Sequence, residues 1–221
     1  MRKKVYVDLS HTIENGLITY KGLPAPIICD YLSREESRKH YESGTEFQIG
    51  KIEMVSNTGT YVDVPFHRYE NGNDLAETAI GKMAGLEGIL IHIDKGIKEI
   101  DEGFFHDLKL EGKAVLIHTG WDRHWNTEQY FEDHPYLTES AAMYLSEQKV
   151  ALVGIDSVNI DDTSGKSRPV HTVLLGVEIM IVEHLCNLKE LLDNKFLFFA
   201  VPPKIKGMGT FPVRAFAEIV D

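Results

Sequence analysis

The hydrophobic positions of the chain form four continuous apolar runs, which predict strands buried on both faces. The runs are rich in valine, isoleucine, leucine or phenylalanine, and they occupy residues 88–94, 113–119, 150–156 and 195–201. Alternation at residues 4–9 predicts another strand, and residues 46–55 predict a strand that leads into a polar segment. Polar residues follow three of the buried runs, at the strand ends where ligands bind in open α/β sheets.

Helical patterns are fewer than strand patterns. Thr138 predicts the N-cap of a helix that continues to Gln148, with Ala141, Ala142 and Leu145 facing inward. The order of strands and helices predicts an α/β fold, and the length of 221 residues suits a single domain over residues 1–221.

Four further segments have weaker patterns. Residues 75–84 and 101–108 predict short helices, and residues 172–185 predict a turn followed by a short apolar run. Residues 31–44 are charged and weakly patterned. They are interpreted as a mobile flap, a short helix or a solvated excursion.

The most distinctive segment is residues 56–68, with the sequence SNTGTYVDVPFHR. Gly59 permits backbone angles that other residues avoid, or a close approach by another group. Pro65 fixes φ and removes a backbone donor, so the chain should leave a regular strand there. A satisfied surface loop remains the alternative interpretation of this segment taken alone.

Alternation gives the same segment two different faces. Tyr61 and Asp63 point to one side of an extended chain, and Val62 and Val64 point to the other. The valines can pack on a core while the polar face borders a cleft, with His67 just past the turn.

Charge and cysteine content exclude several classes of protein. Lysine and arginine number 23 and the acidic residues number 34, which gives a formal net charge of −11. Such a surface repels phosphate backbones, so we expect no nucleic-acid partner. No apolar run reaches the length of a membrane span, so no membrane association is expected. Two distant cysteines without metal-binding spacing suit a reducing compartment, and we expect a cytoplasmic protein.

Four residues from distant parts of the chain supply related chemistry. Asp63 and His67 come from the central segment, and His171 and Glu183 lie more than a hundred residues later. If they converge, two imidazoles and two carboxylates can carry out acid/base work or hold a divalent metal with an open position.

The chain resembles the cyclase family of metal-dependent hydrolases, which includes bacterial kynurenine formamidases. The family signature is His-x-Gly-Thr-His-x-Asp-x-Pro-x-His, and residues 57–67 of this chain are NTGTYVDVPFH. Further similarities are DLSH at residues 8–11, TGWD at 119–122, GIDS at 154–157, HTVLL at 171–175, and the stretch 202–217.

This resemblance implies a mixed or barrel-like central sheet with flanking helices, assembled as a homodimer or homotetramer. It implies that Asp63, His171 and Glu183 serve as metal ligands and that His67 is the acid/base. It also implies an arylformamidase-like reaction of tryptophan catabolism on a small-molecule substrate, with no organic cofactor.

Two departures from the signature affect the metal. The two ligand histidines of the family signature are Asn57 and Tyr61 in this chain. Asn is a weak neutral oxygen ligand, and a protonated phenol is a poor one. The remaining oxygen-rich set favours manganese or magnesium over zinc, or no ion at all.

Three functions therefore remain open. The first is a hydrolase of an amide, formamide or lactone-type carbonyl, in which His67 shuttles a proton and Tyr61 steadies the oxyanion. The second is a metal-independent acid/base lyase or cyclase that uses His67, Asp63 and Glu183. The third is a small-molecule-binding protein that has lost hydrolysis.

Other side chains are candidates for contact with a substrate. They are Asn57, Thr60, Phe66, Arg68 and Trp121, of which Trp121 is also interpreted as core or pocket wall. Arg168 and Arg214 would hold a substrate carboxylate or an ion-pair partner. For Asp156, Asp161 and Asp162, turn capping or orientation of Arg168 is the preferred interpretation.

Overall fold

A computed structural model describes residues 4–220, which form a nine-stranded sheet, two small two-stranded sheets and three α-helices. The strands are β1 Val5–Asp8, β2 Ile27–Leu32, β3 Ile49–Glu53, β4 Tyr61–Asp63, β5 Ala84–His92, β6 Glu99–Ile100, β7 Ala114–His118, β8 Tyr136–Leu137, β9 Leu152–Ile155, β10 Met180–Glu183, β11 Lys195–Phe199, β12 Thr210–Pro212 and β13 Phe216–Val220. The helices are α1 Arg34–Ser37, α2 Glu139–Glu147 and α3 Pro169–Gly176.

The large sheet is mixed, in the order β1-β13-β11-β5-β7-β9-β10-β4-β12. Its centre, from β5 through β7 and β9 to β10, is parallel. Both flanks are antiparallel. The parallel centre includes three of the apolar runs found in the sequence. Strands β7 and β9 are buried on both faces, as the pattern predicted. Burial on both faces was wrong for β5 and β11, in which exposed and partly buried positions lie between the buried ones.

The sheet curls until its two ends approach each other. Strand β12 lies at one end of the order and β13 near the other, yet only residues 213–215 separate them in the chain. A connection of that length spans about 14 Å, whereas a flat nine-stranded sheet is about 38 Å wide. Leu9 N, which follows β1, donates to Ala215 O in the same connection. The predicted mixed or barrel-like α/β fold is therefore confirmed.

Two hydrophobic clusters cover the two faces of the sheet. Leu116, Leu152 and Val182 point to one cluster, which fills the inside of the curl. Their chain neighbours Val115 and Val153 point to the other, where α2 and α3 pack. This alternation follows from the two-residue period of a strand.

The predicted helix after Thr138 is confirmed as α2. The Thr138 side chain accepts a hydrogen bond from Ala141 N, and Ala141, Ala142 and Leu145 are buried. The short helices predicted at 75–84 and 101–108 are wrong, because only 3₁₀ turns form there, over Ile80–Lys82 and Glu102–Phe105. The turn predicted at the start of residues 172–185 is also wrong, because α3 continues to Gly176.

Residues 27–53 project from the body of the protein as an arm. Strands β2 and β3 pair with each other and with no strand of the large sheet, and α1 lies between them. Segment 31–44 thus holds a short helix, and its mobility stays a prediction. Large apolar side chains of the arm are exposed, namely Ile27, Ile28, Tyr31, Tyr41, Phe47, Ile49 and Ile52.

Within residues 4–220, no helix combines the length and the apolar character that a membrane crossing requires.

Candidate active site

Strand pairing brings the polar face of the central segment to residues from two other strands. Tyr61 of β4 lies opposite Glu183 of β10, and Asp63 lies opposite Thr210 of β12. Facing residues of neighbouring strands point to the same side of a sheet, so their side chains meet. Val62 points to the other side, into the hydrophobic core, as the alternation predicted.

A sharp turn then places His67 over the same face. The chain forms a 3₁₀ turn over Pro65–His67, as the proline predicted. Gly209 of the neighbouring segment lies against this turn, and a Cβ there would be 2.2 Å from His67 N. Gly59, at the other end of the segment, has a φ of +66°, in the left-handed region that favours glycine.

The two distant pairs of residues converge. His171 Nε2 lies 3.6 Å from Asp63 Oδ2 and 3.7 Å from Glu183 Oε1. His67 Nδ1 lies 3.6 Å from Asp63 Oδ1. Asp63, His171 and Glu183 are buried, whereas the His67 side chain is 34% exposed. The site therefore has a buried charged floor and one imidazole that reaches the opening.

Asp161 orients His171. Its carboxylate accepts hydrogen bonds from Val170 N and His171 N at the start of α3, and from His171 Nδ1 at 2.6 Å. Because Nδ1 donates to Asp161, Nε2 is the nitrogen that faces Asp63 and Glu183. Burial lowers the pKa of His171, but hydrogen bonds and the charges of Asp63 and Glu183 raise it overall, to about 10.

A phenol and a backbone amide hold the Glu183 carboxylate. Tyr61 donates its hydroxyl proton to Glu183 Oε2 over 2.5 Å, and Ile160 N donates to Oε1 over 2.7 Å. The Tyr20 hydroxyl lies 3.0 Å from that of Tyr61 and donates to Val158 O. Burial and the charge of Glu183 raise the pKa of Tyr61 well above its usual value, so the phenol stays protonated.

A threonine links the Asp63 carboxylate to the His67 imidazole. The Thr210 hydroxyl donates to Asp63 Oδ1, and His67 Nδ1 lies 2.7 Å from the same Oγ1. Since the hydroxyl proton goes to the carboxylate, His67 must donate its Nδ1 proton to Thr210. This arrangement assigns the tautomer with the lone pair on Nε2, which suits a general base.

Two adjacent cavities, which share three lining residues, border this site. The inner cavity has a volume of 210 Å³ and is lined by Tyr20, Leu23, Asn57, Tyr61, His67, Asn159, His171 and Glu183. The outer cavity has a volume of 710 Å³ and shares His67, Asn159 and His171 with the inner one. The volume of the outer cavity suits a small organic molecule.

The proposed substrate contacts separate into two groups. Asn57 lines the inner cavity and Arg68 lines the outer one. Thr60 is buried, and its hydroxyl donates to His184 O, so it is not open to a ligand. Phe66 and Trp121 line neither cavity, and Trp121 Nε1 donates to Tyr130 O in the protein body. The predictions for Thr60, Phe66 and Trp121 therefore lack support from the geometry.

Four residues that the sequence did not single out as functional belong to the site. Tyr20 and Asn159 come from loops, Thr210 comes from the edge strand β12, and Asp161 was assigned a structural role only. Strand register and loop path place them, and neither follows from local pattern. Two signals were available. Thr210 lies inside the family-like stretch 202–217, and Asn159 and Asp161 follow the buried run 150–156, at a strand end where ligands bind.

The chemistry of this donor set fits a cation. Asp63 Oδ2 is buried and has no hydrogen-bond partner within residues 4–220, which is a costly state for a carboxylate oxygen. Ligand atoms of Asp63, His67 and His171 lie within 4.8 Å of one another. The residues present can therefore hold a divalent metal, and Glu183 Oε1 lies next to His171 Nε2.

Comparison with known proteins decides the family. A family model with the description "Putative cyclase" matches residues 7–162, well over half of the chain. The chain belongs to the cyclase family. The resemblance seen in the signature segment is thereby confirmed.

Relatives in this family match nearly the whole chain. The kynurenine formamidase of Bacillus cereus is 28% identical over 217 residues, which covers 97% of this chain and 98% of that protein. The kynurenine formamidase of Bacillus anthracis is 28% identical over 225 residues, with the same two coverages.

Solved structures of other proteins have the same fold. A protein described as a "Potential Metal-Dependent Hydrolase With Cyclase Activity" superposes with a TM-score of 0.81 at 23% identity, covering 99% of this chain and 100% of the other. Isatin hydrolase A from Labrenzia aggregata superposes with a TM-score of 0.82 at 21% identity, covering 99% and 94%.

Proposed function

We propose that this cyclase-family protein hydrolyses an amide, formamide or lactone-type carbonyl, and that an arylformamide is the best-supported substrate. The relatives named kynurenine formamidase support cleavage of a formamide C–N bond. The observation that carries the proposal is the convergence of Asp63, His171 and Glu183 beneath the exposed imidazole of His67.

Asp63, His171 and Glu183 are the residues we propose as ligands of a divalent metal. Two carboxylates and one imidazole suit manganese or magnesium, and zinc is the third candidate. When bound, such an ion activates water and polarises the substrate carbonyl as a Lewis acid. Tyr61 is not a ligand in this arrangement, because its protonated hydroxyl donates to Glu183.

Side chains of the protein then carry out the proton transfers. His67 Nε2 takes a proton from the water that attacks the carbonyl carbon, and Thr210 and Asp63 stabilise the imidazolium that results. When the C–N bond breaks, the same imidazole returns the proton to the leaving nitrogen. The products are a carboxylic acid and an amine, and His67 is neutral again.

The role of Tyr61 differs from the one expected from sequence. Its single hydroxyl proton is committed to Glu183, so we propose that it positions this carboxylate instead of stabilising a substrate oxyanion. The metal-independent lyase and the binding protein without activity are not favoured, because the named relatives are hydrolases.

The test is hydrolysis of N-formylkynurenine and of formanilide by purified protein supplied in turn with manganese, magnesium and zinc. We expect metal-dependent release of formate, its loss with a chelator, and its loss in His67→Ala. Turnover that is indifferent to chelator would support the metal-independent alternative. Binding of these compounds without product at every metal would support the binding-protein alternative.

We also propose a metabolic role, a compartment, a domain organisation and an oligomeric state. The named relatives support a role in tryptophan catabolism, and Cys29, an exposed free thiol, suits the cytoplasm. The pairing of β1 with β13 supports a single domain over residues 1–221.

The exposed apolar side chains of the arm support a homodimer or homotetramer in which a second copy covers them, since a lone two-stranded sheet is marginally stable in water.

A further inference from the structure

The outer cavity carries a charge opposite to that of the whole protein. Three cations, Arg68, Lys166 and Arg168, border its 710 Å³, and Glu139 is the one acidic residue among its lining side chains. The protein as a whole has a net charge of −11. A concentration of positive charge in an acidic protein attracts anions to that place.

None of these cations forms an ion pair within the part of the chain that the structure describes, residues 4–220. Elsewhere on the surface, cations do find acidic partners, such as Lys82 with Glu178. Arg214, the other candidate for a substrate carboxylate, is one of these, because it pairs with Asp8.

The two arginines are held in place by groups that leave part of each guanidinium open. Arg168 Nη1 donates to the carbonyl oxygens of Asp162, Gly165 and Ser167 at 2.6–3.2 Å. Arg68 Nε donates to Thr172 Oγ1 at 3.2 Å. The remaining N–H groups of both side chains have no hydrogen-bond partner within residues 4–220, so they can meet a planar anion.

Arg68 and its hydrogen-bond partner Thr172 are each adjacent in sequence to a histidine of the site. Arg68 directly follows His67, and Thr172 directly follows His171. The start of helix α3 does not compete for the anion, because Val170 N and His171 N already donate to Asp161. An anion in the outer cavity would therefore contact arginine side chains while the rest of its molecule reaches the imidazoles.

We propose that the substrate of this site carries a carboxylate, which Arg68 and Arg168 bind, with Lys166 adding positive charge, while the scissile carbonyl lies at His67 and His171. This inference rests on the proposed hydrolase function and specifies its substrate class. The substrate is an acylated amine with an acidic group on the amine side or on its aromatic ring.

The first test measures binding without turnover. The Kd of benzoate, with benzamide as the neutral comparison, is measured by calorimetry in wild type, Arg168→Gln, Arg168→Lys and the double variant Arg68→Gln/Lys166→Gln. We expect benzoate to bind more tightly than benzamide, and either Gln substitution to weaken benzoate by about tenfold or more. Arg168→Lys should weaken it less.

Lys109→Gln is the matched control, because it removes one exposed positive charge that does not line the cavity. We expect this variant to bind benzoate as wild type does. Thermal unfolding of each variant checks that it is folded. The double variant keeps the test decisive if Arg168→Gln unfolds.

Equal binding of benzoate and benzamide, or equal weakening by Lys109→Gln, would overturn the proposal. Binding of phenyl phosphate without binding of benzoate would overturn the choice of a carboxylate.

The second test compares hydrolysis of formanilide and of 3-carboxyformanilide. The carboxylate should raise kcat/KM mainly through a lower KM, and this preference should shrink in the Gln variants. Equal kcat/KM for the two substrates in wild type would contradict the carboxylate site and leave the hydrolase function standing. Failure to hydrolyse either substrate, with benzoate binding that still depends on Arg168, would contradict the hydrolase function alone.

Discussion

The Thr210 hydroxyl connects a buried carboxylate to the exposed imidazole that we assign as acid/base. Replacing Thr210 with Val keeps the shape and removes both hydrogen bonds, so His67 loses its fixed tautomer. We expect kcat to fall by about tenfold to a hundredfold, as for partial loss of general acid/base catalysis. Steady-state rates across pH measure this, and Thr210→Ser should restore most of the loss. Equal rates in Thr210→Val and wild type would show that the link is not used.

Tyr61 supplies a hydrogen bond to a carboxylate that is almost fully buried. Tyr61→Phe keeps the ring and leaves Glu183 Oε2 with less stabilisation. We expect a loss of about 1–3 kcal/mol in the free energy of unfolding, measured by urea denaturation in the absence of metal. Tyr136→Phe is the control, because it deletes a phenol that donates to Glu99 at the surface. A loss no larger than that of the control would mean that the Tyr61 contact adds no stability.

At the residue scale, the sequence identified the four candidate residues, but it left their convergence open and did not indicate what surrounds them. The alternation of Tyr61 and Asp63 and the turn at Pro65 were sufficient to put a polar face beside a histidine. The partners Asp161 and Thr210 depend on strand register and on the path of distant loops, which local pattern does not contain.

Among the elements, the segment that leads into β12 packs closely, through Gly209, on the turn that carries His67. A Cβ at Gly209 would overlap backbone atoms of Phe66 and His67. We therefore expect Gly209→Ala to cost about 1–3 kcal/mol of stability and to lower activity, because His67 must move. Gly81→Ala is the control, because no atom lies within 4 Å of a Cβ at that position. Thermal unfolding and kcat test this, and a Gly209→Ala protein that matches the control in both would refute the packing argument.

Elements with a long apolar run or a clear cap were predictable, and those that depend on tertiary contacts were not. The strands β5, β7, β9 and β11 and the capped helix α2 follow directly from pattern. Helix α3 was missed, because its start is fixed by the Asp161 side chain and not by a capping residue at Arg168. Residues 75–84 have apolar positions but form only a single 3₁₀ turn.

For the whole molecule, the arm makes a prediction about assembly. Ile52 of β3 is 57% exposed, so covering it with a second copy would bury apolar surface. We expect wild type to run as a dimer or tetramer in size-exclusion chromatography with light scattering, and Ile52→Lys to shift it toward monomer. Ile80→Lys places the same charge on an exposed isoleucine outside the arm and should leave the mass unchanged. A wild-type monomer, or an oligomer that Ile52→Lys leaves intact, would contradict this role of the arm.

The curled sheet explains why the site can be shared by residues from all parts of the chain. The connection 213–215 draws the two ends of the sheet together, and β4 lies between β10 and β12. Order of elements in the sequence was enough to predict an α/β sheet. The strands β12 and β13, which close it, lack a strong pattern and follow from long-range pairing.

The central claim is that Asp63, His171 and Glu183 together hold one divalent metal ion. Its most direct test is calorimetric titration of metal-free protein with manganese, with elemental analysis of the dialysed complex, for wild type and for Asp63→Asn. We predict about one ion per chain in wild type and weak or no uptake in the folded variant. Equal uptake by Asp63→Asn, or no uptake by a wild-type protein that still hydrolyses formanilide, would contradict it.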